Sequence, residues 1–147
     1  MAEQALDNEV TSLMTAIGRL TRRVRAAVSS RDLSWTQTAV MARLDKEGPA
    51  TASDLARAEG MKPQSMGSVV ASLEELGLIA RRPHPTDGRR TIVELTKKGA
   101  GLRKIASDEK RTWLAQAVAQ LDARDRKTLF AANEIIRRLL ETDRAEE

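Results

Sequence analysis

The sequence predicts a mainly α-helical fold with one small β-hairpin, which is an α+β class. Apolar residues recur at the 3.6-residue helical period over most of the chain, whereas two short strand-like runs flank a turn-rich centre between residues 78 and 95. The length of 147 residues, with 41% hydrophobic and 31% charged residues, fits one soluble, helix-rich protomer. We expect three parts, at residues 1–32, 33–96 and 97–147.

The composition excludes several functions. The chain has no cysteine and one histidine, which leaves little for thiolate chemistry, a zinc site or acid–base catalysis. An enzyme built on carboxylates such as Asp45 and Glu47 is disfavoured, because these acids fall in solvated helical contexts. Aromatic residues make up 2% of the chain, too few to bind single-stranded nucleic acid by base stacking. Without a membrane-length apolar run or a secretory signal, we expect a cytoplasmic protein that needs no metal or cofactor.

The N-terminal segment carries a heptad-like apolar seam, which predicts one long helix. The seam alternates steps of four and three residues through Leu6, Val10, Leu13, Ile17, Leu20 and Val24, and a further step of four residues leads to Val28. A single helix cannot bury such a stripe by itself. The seam therefore packs either within the protomer or on a partner subunit.

Two capped helices follow. Ser34 and Gln37 form a capping box, which opens a helix that ends at Gly48-Pro49. The inward residues of this helix are Val40, Met41 and Leu44. Thr51 with Asp54 caps a short helix, which is expected to bury Leu55 and Ala58. It stops near Gly60, where glycine permits the positive φ angle of a tight turn.

The next helix begins at Pro63, which suits a first helical position, and ends at Gly77. Its apolar face consists of Met66, Val69, Val70, Leu73 and Leu76. Its other face is small and polar, with Gln64, Ser65, Gly67, Ser68 and Ser72. The helix pair around Gly60 thus predicts a helix-turn-helix, whose second helix fits a DNA major groove.

A cationic hairpin follows at once. Residues 78–80 and 91–95 are strand-like, and the prolines and Asp-Gly pair between them indicate a turn-rich tip. Between the two strand-like runs, residues 81–90 carry Arg81, Arg82, Arg89 and Arg90 against Asp87 as the one acidic residue. Formal charges over residues 51–95 cancel, so the prediction rests on where these arginines sit. They can reach phosphates or a narrow minor groove, which predicts a winged helix-turn-helix that binds double-stranded DNA.

The C-terminal part predicts two more helices, one capped by Thr96 and one opened by Asp122 and Asp125. Their apolar residues are too few for a separate core. We therefore expect both chain ends to build a shared helical platform.

With these features the sequence resembles the MarR family of bacterial winged-helix transcription regulators. The most specific match is the wing signature Asp87-Gly88-Arg89, which runs on through Arg90 to Leu95-Thr96. The stretch from Leu73 to Arg82 and the stretch from Gly48 to Ala56 match the exit from the recognition helix and the start of the helix-turn-helix.

The resemblance implies a homodimeric regulator with interleaved chain ends that binds a near-palindromic operator. We interpret it as a transcriptional repressor. The resemblance also implies a small anionic or phenolic effector that weakens DNA binding. By the same resemblance, Arg89 enters the minor groove and Asp87 holds the wing by pairing with an arginine.

This chain departs from many relatives at Gly67-Ser68, where they carry Thr-Arg. Base readout therefore falls on Gln64, Ser65 and Ser68, and Gln64 can pair with adenine. The phosphate contacts are assigned to Lys62, Arg81, Arg82 and Arg90. The missing long side chain keeps open an alternative, a winged-helix module that binds proteins without DNA. Trp35 and Trp113 either pack in the core or line an effector pocket.

Overall fold

A computed structural model describes residues 1–28 and 32–142 of the chain. In these residues the chain is mainly helical with one small sheet, which confirms the predicted fold class. The helices are α1 Ala2–Ala26, α2 Trp35–Glu47, α3 Ala52–Ala58, α4 Pro63–Glu75, α5 Lys97–Ala119 and α6 Ala123–Thr142. The strands are β1 Ala50–Thr51, β2 Ile79–Pro83 and β3 Thr91–Leu95. No helix within the described ranges has the length and apolarity that a membrane span requires.

The chain divides into two compact units. One comprises Val28–Glu109, and we call it the winged unit; the other comprises Met1–Ala27 with Lys110–Glu147, and we call it the terminal unit. Helix α5 contributes to both. Its first half belongs to the winged unit, where Arg103 lies 3.5 Å from the carboxylate of Asp45 on α2.

The core of the winged unit is built from one face of each of its helices and from the sheet. Its buried residues are Val40, Met41, Leu44, Leu55, Ala56, Met66, Val70, Leu73, Leu78, Ile79 and Val93. Two expectations were wrong. Ala56 is buried instead of Ala58, which is exposed, and Leu76 is 45% exposed because it caps α4 beyond its last packed turn.

The sheet is antiparallel, in the order β1-β3-β2. The predicted hairpin is present, with Ile79 opposite Leu95 and Pro83 opposite Thr91, but β2 extends three residues beyond the predicted Leu78–Ala80. Strand β1 was not predicted. It is two residues long and too short for a periodic signal, and Thr51 pairs with Ile92.

One corner joins the end of α4 to the start of α5. Gly77 has φ +71°, and the N–H groups of Gly77 and Leu78 donate to the carbonyls of Glu74 and Leu73, which is a Schellman ending. The Thr96 hydroxyl donates to the Gly77 carbonyl at 2.6 Å and accepts the Gly99 N–H at 3.1 Å. This hydroxyl therefore caps α5 and ties it to the end of α4.

The closeness of this corner predicts opposite effects for two glycines of α5. A Cβ at Gly99 would overlap the carbonyl oxygen of Leu78, whereas a Cβ at Gly101 would meet nothing within 4 Å. We expect Gly99→Ala to lower the free energy of unfolding by about 1–3 kcal/mol. Gly101→Ala should raise it by about 0.5–1 kcal/mol, because alanine is the better helix former. Denaturant unfolding at one fixed protein concentration measures both, and equal shifts would contradict the close approach.

The terminal unit has a different character. Every buried residue of the described chain lies between Val40 and Ala106, and none lies in this unit. The α1 seam is exposed on the protomer, by 45–66% at Leu6, Val10, Leu13, Ile17 and Leu20. For these five residues the first alternative, burial within the protomer, was wrong. A cation–π contact places the guanidinium of Arg23 5.9 Å from the ring centroid of Trp113.

Candidate nucleic-acid interface

Helices α3 and α4 form the predicted helix-turn-helix. The Thr51 hydroxyl accepts the Asp54 N–H at 3.1 Å and so caps α3. Gly60 has φ +62°, and the Met61 N–H donates to the Ala56 carbonyl at 2.8 Å, which closes the turn. Pro63 then takes the first position of α4, as predicted.

The outward face of α4 is short and polar. Gln64, Ser65 and Ser68 are exposed, while Met66 and Val70 point into the core. This division follows from the helical period, which puts apolar and polar residues on opposite sides. The helix therefore presents hydrogen-bonding groups that can meet base edges in a major groove.

The start of α4 is electropositive. The helix dipole places partial positive charge there, and exposed Lys62 lies immediately before the first turn. Within the described residues the Lys62 ammonium has no hydrogen-bond or ion-pair partner. The arrangement suits a phosphate at this end of the helix.

Three of the four hairpin arginines are paired with carboxylates of the winged unit. Arg81 pairs with Glu74 on the last turn of α4, and Arg82 pairs with Glu94 across the hairpin at 2.9 Å. Each of these side chains is 37–46% exposed, so the pairs are weak and can exchange for phosphates. Both guanidinium groups lie at defined positions on the protein surface before any ligand binds.

Arg90 is held against the start of α3. Its guanidinium lies 3.8 Å from the Asp54 carboxylate and 3.4 Å from the Thr51 hydroxyl. A hydrogen bond with Thr51 lowers the pKa of Asp54, and the charges of Arg90 and Arg57 contribute to the same effect. This carboxylate therefore stays ionised and anchors the base of the wing to the helix-turn-helix. This cluster was not predicted from the sequence, because strand β1, which brings its residues together, is too short to give a periodic signal.

Arg89 differs from its neighbours. It is exposed at the hairpin tip, and its guanidinium has no partner among residues 1–28 and 32–142. The Asp87 carboxylate accepts the backbone N–H of Arg89 at 3.1 Å. In the described residues no arginine side chain pairs with Asp87, so the implied ion pair is replaced by a hydrogen bond to the backbone. Asp87 thereby turns the chain at the residue that carries the free cation.

The two tryptophans lie in different units. Trp35 is 65% exposed at the first position of α2, so its predicted core packing was wrong. Trp113 is partly buried beneath Arg23 in the terminal unit. Their suggested role in an effector pocket stays a prediction.

Gln37 also positions α4, and only its capping role was predicted from the sequence. The capping box of Ser34 and Gln37 is present, with hydrogen bonds of 3.1 and 2.8 Å. The Gln37 amide also donates to the Ser72 hydroxyl at 2.9 Å, and Ser72 donates to the Val69 carbonyl. Gln37 thus joins the start of α2 to α4. The sequence signals the cap, whereas the partner across the interface depends on how the helices pack.

Comparisons with known proteins agree with this geometry. A family model described as MarR family matches residues 33–91. An uncharacterised HTH-type transcriptional regulator of Mycobacterium bovis is 35% identical over 131 residues, which cover 89% of this chain and 92% of the relative. An HTH-type transcriptional repressor of Mycobacterium tuberculosis, Rv2887, is 30% identical over 76% of this chain and 81% of its own length. The crystal structure of RV1404 from M. tuberculosis superposes with a TM-score of 0.79 at 27% identity, over 90% of this chain and 92% of that one.

Two serines of α4 should differ in how much they contribute to stability. Ser72→Ala removes the acceptor of the partly buried Gln37 amide, so we expect the free energy of unfolding to fall by about 0.5–1.5 kcal/mol. Ser68 is exposed, and within the described residues its side chain makes one hydrogen bond, to the Gln64 carbonyl at 3.5 Å. Ser68→Ala should therefore leave stability unchanged within about 0.5 kcal/mol. Thermal unfolding checks both, and a larger loss for Ser68→Ala than for Ser72→Ala would refute the assignment.

Proposed function

The chain belongs to the MarR family of DNA-binding transcription regulators, and from this premise we propose that it is a homodimeric repressor of a near-palindromic operator. Two relatives with shared sequence are named as a regulator and as a repressor. In this proposal the winged unit binds DNA and the terminal unit forms the dimer. We place the protein in the cytoplasm, where it binds DNA.

The absence of buried residues in the described part of the terminal unit carries the proposal of a dimer. Its exposed apolar side chains form continuous faces of helices. On α6 they are Leu129, Phe130, Ile135, Ile136, Leu139 and Leu140, with 41–67% exposure. Soluble monomers rarely leave such large contiguous patches in water, and each fully buried large side chain contributes about 1.5–3 kcal/mol. A second copy of the same helices supplies the missing burial.

A two-fold dimer sets the form of the DNA site. Two α4 helices related by the axis meet successive major grooves, whose centres are about 34 Å apart. Gln64, Ser65 and Ser68 then read bases in each half-site, and Lys62, Arg81, Arg82 and Arg90 contact phosphates. Arg89 enters the adjoining minor groove, where a guanidinium gains from the negative potential. Protein bound over a promoter blocks transcription, which is the simplest route to repression.

The predicted anionic or phenolic effector is a separate part of the proposal, and it would act by weakening DNA binding. The rival function, a winged-helix module that binds only proteins, rests on the missing long side chain at Gly67-Ser68. The uncompensated charge of Arg89 at the wing tip speaks against it, because a protein-binding wing does not require an unpaired exposed cation.

Selection from random DNA tests the proposal. The purified protein is sized in solution and incubated with a library of 30-base-pair duplexes, and bound duplexes are sequenced and footprinted. We expect a dimer that recovers one motif with half-sites about one helical turn apart, and an affinity that falls steeply with salt. A stable monomer contradicts the dimer. A dimer that recovers no motif contradicts the repressor and favours the protein-binding module.

Arg89→Ala should lower affinity for the selected duplex more than tenfold, because it removes the only hairpin guanidinium without a partner in the described residues. Lys104→Ala is the matched control. Lys104 is 80% exposed on α5, outside the hairpin, and pairs with Asp108, so its loss changes net charge equally without altering the wing sequence. Gel-shift titration with both variants measures the difference. Equal affinities would reject the role of Arg89, provided that both variants unfold at the wild-type temperature.

A further inference from the structure

The single histidine of the chain lies at the base of the wing tip. The His84 N–H donates to the Arg90 carbonyl at 3.0 Å, so these two residues close the loop of residues 84–90. Its imidazole folds back over that loop and is partly buried, whereas residues 85–90 are exposed. The proposed DNA contacts assign no task to this ring.

The ring nitrogen Nδ1 accepts hydrogen bonds from backbone N–H groups of the loop. It accepts the backbone N–H of Thr86 at 3.2 Å and that of Asp87 at 3.2 Å. The Thr86 hydroxyl lies 3.3 Å from the same atom. Pro83 and Pro85 have no N–H to contribute. One imidazole therefore orders the first half of the tip.

Asp87 continues the same pattern. Its backbone N–H is fixed by His84, its carboxylate accepts the Arg89 N–H at 3.1 Å, and its carbonyl accepts the Arg90 N–H at 3.0 Å. The chain of contacts runs from His84 through Asp87 to the backbone of Arg89. No described residue of the loop is fully buried, so hydrogen bonds, and not apolar packing, hold its shape.

The hydrogen bonds at Nδ1 require one tautomer of the ring. An atom that accepts two N–H groups must carry a lone pair, so these bonds form when the ring proton is on Nε2. In this state histidine imitates asparagine, whose side-chain oxygen accepts N–H groups two and three residues ahead in an Asx turn. The acceptor must be attached directly to Cγ to reach both groups.

We propose that His84 is a positioning residue for DNA binding, because its Nδ1 holds the wing tip in the shape that presents Arg89. This role rests on the proposed function, in which Arg89 enters the minor groove. A loop ordered before binding loses less conformational entropy when DNA fixes it. Without the acceptor, the tip has to be ordered by the DNA at the expense of affinity.

Two substitutions of His84 distinguish the effect of moving the hydrogen-bond acceptor from the effect of losing the imidazole ring. In His84→Asn the amide oxygen is attached to Cγ, as Nδ1 is; in His84→Gln the oxygen lies one bond farther out, like Nε2. Both variants are uncharged. We expect His84→Asn to bind the selected duplex within about twofold of wild type and His84→Gln to bind about tenfold more weakly. Equal affinities of the two variants, whether weakened or unchanged, would overturn the proposal.

Nuclear magnetic resonance of the free protein gives a readout that does not depend on DNA. Because the chain has one histidine, its ring nitrogens are assigned without ambiguity. At pH 8 we expect the proton on Nε2 and slowed exchange of the Thr86 and Asp87 amides, with the slowing kept in His84→Asn and lost in His84→Gln. A proton on Nδ1, or a mixture of both tautomers, refutes the ordering of the loop. If the tautomer is as expected but wild type selects no duplex, the proposed function fails and the role in DNA binding fails with it.

Discussion

The carbonyl of Leu78 is the point on which the geometry of the winged unit depends. It accepts the Thr96 N–H at 3.1 Å, and the backbone of Gly99 approaches it so closely that no side chain fits there. Leu78 lies between α4 and β2, and Thr96 lies between β3 and α5. One contact therefore fixes where the recognition helix ends, where the wing begins and where α5 leaves. A shift at this corner would move the polar face of α4 relative to the wing.

In the wing, the placement of the charged side chains matters more than their net charge. Glu74, Glu94 and Asp54 each hold one arginine of the hairpin in place. Such exposed pairs are worth little in net stability, so exchanging a carboxylate for a phosphate costs little. In the proposed complex, three guanidinium groups are therefore already placed when DNA arrives. Arg89 has no such partner in the described residues, and its backbone is ordered instead by Asp87 and His84.

The sequence predicted those features whose cause is local. The capping box at Ser34, proline at the start of α4 and the positive φ of Gly60 and Gly77 each follow from a few neighbouring residues. It failed where packing between distant segments decides. Strand β1 exists only because Ala50 and Thr51 meet β3, and the exposure of Trp35 depends on what lies beside α2. Periodicity gave the α1 seam but left its partner open, since an apolar stripe does not specify what covers it.

The two units differ in what stabilises them. The winged unit contains all the fully buried large side chains of the described residues, so it has a core of its own. The terminal unit has none there, and in the proposed dimer its helices gain burial from a second chain. If the dimer forms as proposed, order in the terminal unit and association are one equilibrium, which depends on protein concentration. DNA binding then inherits this dependence, because two half-sites one turn apart are bound tightly only by two linked winged units.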